Sequence, residues 1–275
     1  MRAILEDRRA ECLGGINTAL LVFQQSILPT LWHNAETWIN TSKKSMRIIS
    51  GLYSSFFQTI FRIGSGTPQP NFYWQTAMLL PQYFLLQKKL GFLYHLVNLP
   101  EDSLGRKVID LEAGKKLEGG LVTEMEEEIK EMGISQLSEL RSISKWRWKT
   151  TVKKFVLKKN QESLLESIQK YKKLDYHQMS QESFERKSYL SNMKLEDSRM
   201  LFRISSQMLD LKVNMKNKYR NQSLTCRLCR SDDPESVQAE EKPEESQFHL
   251  ANECETFSSL RSETDFSEYP TNPVF

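Results

Sequence analysis

An all-α fold is the architecture this sequence predicts, and three observations carry the prediction. Gly and Pro are scarce, at 11 and 9 of 275 residues, while Leu, Glu, Lys, Gln and Met are abundant. Apolar residues recur at spacings of three and four along most of the chain. No alternating run is long enough to make a sheet, and neither an internal repeat nor a sustained heptad occurs. The composition, 39% hydrophobic and 27% charged, is that of a globular chain and excludes fibrous or fully disordered classes. The expected form is an irregular helical array.

Leu20, Phe23, Ile27 and Leu31 mark the first helix, which Pro29 should kink or divide. Ile48, Tyr53, Phe56, Phe57, Ile60 and Phe61 suggest a second apolar face. The breaker cluster GSGTPQPN, Gly64 to Asn71, places the first boundary. Pro81 suits a helix start, and Leu86, Leu90, Leu93 and Val97 form one stripe that Pro100 stops. A short helix follows in EDSLGRKVID. Gly119-Gly120 then turn the chain into a helix with Glu124, Glu126 and Glu127 near its positive end, and Gly133 ends it. A basic amphipathic helix comes next, with Trp148, Val152 and Phe155 on one face. QESLLESIQKYKKL and SFERKSYLSN read as further short helices. In the last, Asp197 lies near the start and Met200, Ile204, Met208 and Leu211 form a stripe, which is core rather than a cofactor box.

Charge is unevenly spread. Arg141 to Lys173 holds 11 Lys and Arg against 2 Glu, whereas Ser231 to Phe275 holds 12 Asp and Glu against Lys242 and Arg261. A basic middle with an acidic tail fits a nucleic-acid-facing protein, and equally a solvated helix face. Cys12 to Ala35 lacks any Asp, Glu, Lys or Arg, yet Asn17, Gln24, Gln25 and Pro29 make it too polar for a membrane span. The start, MRAILEDRRAE, is no signal peptide. An intracellular protein, nuclear or cytoplasmic and without membrane contact, is expected.

Three of the four cysteines gather late in the chain, in the pattern Cys226-x2-Cys229-x19-His249-x4-Cys254. Two short spacings can each supply one edge of a tetrahedron, and three thiolates with one imidazole make a closed site. Its metal would be structural zinc, which outranks iron–sulfur for this ligand set. It would stabilise a segment too poor in apolar residues to fold otherwise. The long acidic insert costs little, since loop closure grows slowly with length. The bland alternative is a surface His249 beside an unrelated Cys254. His33, His95 and His177 lie apart from one another, and His33 and His95 are expected to be partly buried core residues. No phosphate loop, H-E-x-x-H or G-x-S-x-G motif occurs.

Several segments, in this order, resemble the region downstream of the polymerase palm in non-LTR (LINE-type) retrotransposon reverse transcriptases. They are ILPTLWHNAETW (Ile27 to Trp38), QKKLGFLYHLVNLPEDSLGRKV (Gln87 to Val108) and EGGLVTEMEEEI (Glu118 to Ile129), then SKWRWKTTVKKFV (Ser144 to Val156) and LEDSRMLFRISSQMLDLKVNMKNKY (Leu195 to Tyr219). The cysteine cluster is similar to that family's C-terminal knuckle, which implies Cys226, Cys229, His249 and Cys254 as zinc ligands. The acidic spacer is longer here. The resemblance implies thumb-like helices over 1–63 and a helical post-thumb region with a basic middle over 72–220. A zinc-knuckle-like module with an acidic insert over 221–257 and an acidic disordered tail over 258–275 complete it.

The palm motif that holds catalytic metals has no counterpart. The single Asp-Asp pair, Asp232-Asp233, precedes Pro234 in the acidic insert. The parent family is an RNA-directed DNA polymerase, but this chain reads as its inactive, non-catalytic fragment, whose partner in a longer protein would be the missing palm. It would bind RNA or DNA, either element RNA or target DNA. The candidate contacts are Lys145, Trp146, Arg147, Lys149, Lys153, Lys154, Lys216, Lys218, Arg220 and Arg227. Of the two tryptophans in that run, Trp146 is expected to be exposed and Trp148 buried. The alternative is a zinc-stabilised helical module that holds a protein partner, and an enzyme of unrecognised type ranks last.

Overall fold

The computed structural model describes residues 15–64, 66–115, 119–171, 174, 183–206, 208, 226, 244–246 and 249–254. Helices dominate and, among the described residues, no strand occurs. The first helical stretch comprises α1 (Gly15–Val22), a π-helical turn (Phe23–Ile27) and α2 (Leu28–Leu31). Pro29 explains the division. It cannot donate a backbone hydrogen bond, and the wider turn just before it lets Leu28 N–H reach back to Phe23 O. α3 spans Lys43–Phe61, α4 Gln69–Thr76 and α5 Pro81–Val97. α6 spans Leu104–Lys115, α7 Leu121–Glu131 and α8 Lys145–Gln169. α9 (Tyr189–Asn192) and α10 (Leu195–Ser205) close the helical body. No described helix is long and apolar enough to cross a membrane.

Two cores form. The first joins α1 to α4 and the start of α5 with the far half of α8, α9 and α10. It is built largely from rings: Phe23 stacks on Phe56 at 3.7 Å, Phe57 on Phe72 at 5.2 Å and Phe61 on Phe202 at 3.8 Å. Such ring pairs add specific geometry to a large apolar burial. α4 is buried throughout from Pro70 to Thr76, so its polar residues need partners. Asn71 Nδ2 donates to Ser206 Oγ at 2.6 Å, and Gln75 Nε2 donates to Asn71 Oδ1 at 3.2 Å. The breaker cluster at 64–71 therefore turns the chain within one core. The second core gathers α5, α6, α7 and the near half of α8 around Leu90, Leu93, Ile129 and Trp148. Buried Lys89 on α5 meets Glu124 on α7 at 2.6 Å.

α8 links the two cores. Its buried residues, Trp148, Val152, Val156, Asn160, Leu164 and Ile168, recur every four positions. Each step of four overshoots a full turn by about 40°, so the buried stripe winds roughly 200° around the helix. The near half faces the second core and the far half the first. The two helices that the sequence suggested over 135–174 become a 3-10 turn at Leu137–Ser142 and one 25-residue helix, Lys145–Gln169, which no Gly or Pro interrupts.

Other expectations are corrected. Ile48 is exposed and Ile49 takes its place, since one residue along a helix shifts the side chain by about 100°. Met200 is exposed and α10 instead buries Ser198, Arg199 and Phe202. The stack of Phe202 on Phe61 and the bond from Arg199 Nε to Ile60 O (2.7 Å) set that rotation. His33 and His95 are exposed rather than core. Cys12, His177, Leu211, Asp232, Asp233 and the tail over 258–275 lie outside the described residues.

Candidate metal centre and the basic helix face

Cys226, His249 and Cys254 come together from opposite sides of the acidic insert. Their donor atoms all lie within 4.8 Å of one another, and all three residues are buried. Around a tetrahedral ion with metal–sulfur bonds of about 2.3 Å, two sulfurs sit roughly 3.8 Å apart, so the spacing is that of a metal-binding group. Two thiols and an imidazole are a soft to borderline donor set. Cys229, the fourth residue of the sequence pattern, lies outside the described residues.

The local backbone explains how His-x4-Cys converges. In a regular α-helix residues five apart are rotated by about 140° and diverge. Here His249–Glu253 forms a π-helical turn, closed by Cys254 N–H to His249 O at 2.7 Å. The i to i+5 bond brings the two residues onto one side. Ser246 starts the turn, its Oγ accepting His249 N–H at 3.0 Å and its carbonyl accepting Leu250 N–H at 3.0 Å. Glu253 was not anticipated from the sequence. Its Oε2 lies 3.2 Å from His249 Nδ1, the relation in which a carboxylate orients a ligating imidazole.

The basic run divides into two classes. Ser144 caps α8, its Oγ accepting Arg147 N–H at 3.3 Å. Trp148 is 1% exposed, donates Nε1–H to Leu90 O at 3.2 Å and stacks on Tyr94 at 5.7 Å. Trp146, two residues earlier, is 77% exposed. Lys145, Arg147, Lys149, Lys153 and Lys154 are exposed too, and none forms an ion pair with a described residue. Beyond them the charges are engaged: Lys158 lies 3.9 Å from Glu162, and Lys159 2.8 Å from Glu131 and over the Phe155 ring. Arg141, ahead of the helix, pairs with Glu101 at 3.3 Å. The first turn of α8 contains Lys145 and Arg147 and no acid. That placement opposes the helix dipole, which favours anions at the amino end. Lys216, Lys218, Arg220 and Arg227 lie outside the described residues.

Comparison of the chain with models of protein families, with curated proteins and with solved structures finds no match.

Proposed function

We propose that this chain is a non-catalytic nucleic-acid-binding segment of a non-LTR reverse transcriptase, the part beyond the palm, with its C-terminal module held by zinc. The observation that carries the reading is the near half of α8. Five exposed cations without ion pairs among the described residues lie beside an exposed indole, and two of them, Lys145 and Arg147, sit in the first turn, where the helix dipole disfavours them. Placement against local stability is what a functional surface exhibits. A polyanion would offset both costs at once, because its phosphates neutralise the lysines and meet the positive end of the helix. Cys229 would complete a tetrahedral zinc site with Cys226, His249 and Cys254, and the zinc would be structural, since four protein ligands leave no open position. Its chemistry would be to fold the module, with Glu253 orienting His249. An intracellular setting suits reduced thiolates.

A titration of binding against salt tests the reading. An unstructured RNA should bind with log K falling against log salt at a slope near −3.5, from about 0.7 per phosphate contact and five cations. No measurable affinity, or a flat salt response, contradicts it. Metal analysis of the purified chain should return one zinc, and Cys254→Ser should lose it. A second reading, a protein-docking module, is favoured by Leu104, Val108 and Leu111, which stand exposed along one side of α6. That reading expects no salt-dependent RNA binding.

A further inference from the structure

We propose that the near half of α8 takes unpaired strands in preference to duplexes, with Trp146 as the platform on which one base stacks. The inference rests on the nucleic-acid reading and adds to it the form of the ligand and a division of labour. Among the tryptophans, Trp32, Trp74 and Trp148 are buried and Trp38 is half-buried, so Trp146 alone stands mostly in solvent. Nothing in the fold requires an indole there, since Trp is only an average helix former and α8 is anchored by Trp148.

The surroundings of Trp146 decide what it meets. Lys149 and Lys153 follow at three and seven residues, within about 60° of Trp146 around the axis and 4.5 to 10.5 Å along it by the helical rise. Arg147 and Lys154 form a second row beside them. Thr150 and Thr151 fill the gaps, and Thr150 Oγ1 donates to Trp146 O at 3.0 Å. The face therefore has one flat apolar ring among cations that form no ion pair with a described residue, and no other apolar side chain in its first two turns. A protein partner is a poor match, because protein interfaces are depleted in lysine. A membrane surface is a poor match as well, because interfacial helices bury a broad apolar face. A strand with an accessible base fits both features. Phosphates reach the lysines, and the base covers the indole. In a duplex each base is already stacked on both sides, so Trp146 would find no surface there.

Binding of the full zinc-loaded chain to an unstructured oligouridine and to a duplex of equal length, read by fluorescence anisotropy, tests this. The expected result is preference for the single strand. Trp146→Ala should weaken single-strand binding by about 10- to 100-fold while leaving duplex binding and the salt slope unchanged. Trp146→Phe should restore most of the loss. Lys149→Glu with Lys153→Glu should weaken both ligands and flatten the slope. Trp146 lies at the surface, so its variants should melt with the parent. Salt-dependent binding to both ligands that ignores Trp146, or equal loss on both, overturns the stacking inference and leaves the nucleic-acid reading standing. Binding to neither, or capture by phosphatidylserine vesicles alone, overturns both.

Discussion

The two halves of α8 share one backbone and live under different rules. In the far half, Leu164 and Ile168 belong to the first core, buried Asn160 accepts Leu80 N–H, and Lys158 and Lys159 are paired or laid over a ring. In the near half, Trp148, Val152 and Val156 face the second core, while the opposite side carries an exposed indole and cations that pair with no described residue. The difference comes from the winding of the four-residue stripe, which turns each half toward a different core. It separates residues that stabilise the fold from residues that stability would not have chosen. Trp146 and Trp148 stand two positions apart and about 200° around the helix, one in each class.

That contrast can be broken by substitution. The largest effect belongs to Trp148→Ala, expected to lower unfolding free energy by about 3–5 kcal/mol in a denaturant melt. Trp146→Ala should change it by less than about 0.5 kcal/mol. Similar costs for the two would end the distinction. Lys89→Met comes next. It would leave Glu124 with its pair removed and one buried oxygen already lacking a partner. The full cost of an orphaned buried charge is about 3–5 kcal/mol, and partial exposure of Glu124 brings the expected value nearer 2. Ser144→Ala should cost about 1 kcal/mol by removing the cap of the near half. The smallest effect is the sharpest. Arg147→Glu should stabilise the chain by roughly 0.5 kcal/mol, since an acid suits the amino end of a helix, while weakening RNA binding. If that variant were destabilised and bound RNA unchanged, the near half would be ordinary surface.

Periodicity disclosed α5 almost completely. Pro81 opens it, and Leu86, Leu90, Leu93 and Val97 are all buried. Gly133 was legible as the stop after α7, because its φ of 81° is one that glycine adopts freely. The rotation of α10 was not, since a Met stripe and a Phe202 face have similar spacing and only the ring stack on Phe61 chooses between them. The lack of Gly or Pro permits α8 to run unbroken, but that it does so rests on both cores accepting its two halves, which periodicity does not reveal. At the candidate metal centre, residue spacing pointed to Cys226, His249 and Cys254, which the fold brings together. Glu253 stayed hidden, because one acid among many carries no signal until the π-helical turn sets it beside His249.

Lysine acetylation of the full chain, with and without an unstructured single strand at low salt, probes the open half of α8 most directly. Mass spectrometry of each site should find Lys145, Lys149, Lys153 and Lys154 protected by the strand, and Lys130 and Lys170, on other surfaces, unchanged. Uniform protection, or protection elsewhere with α8 unaffected, would contradict the assignment of this face.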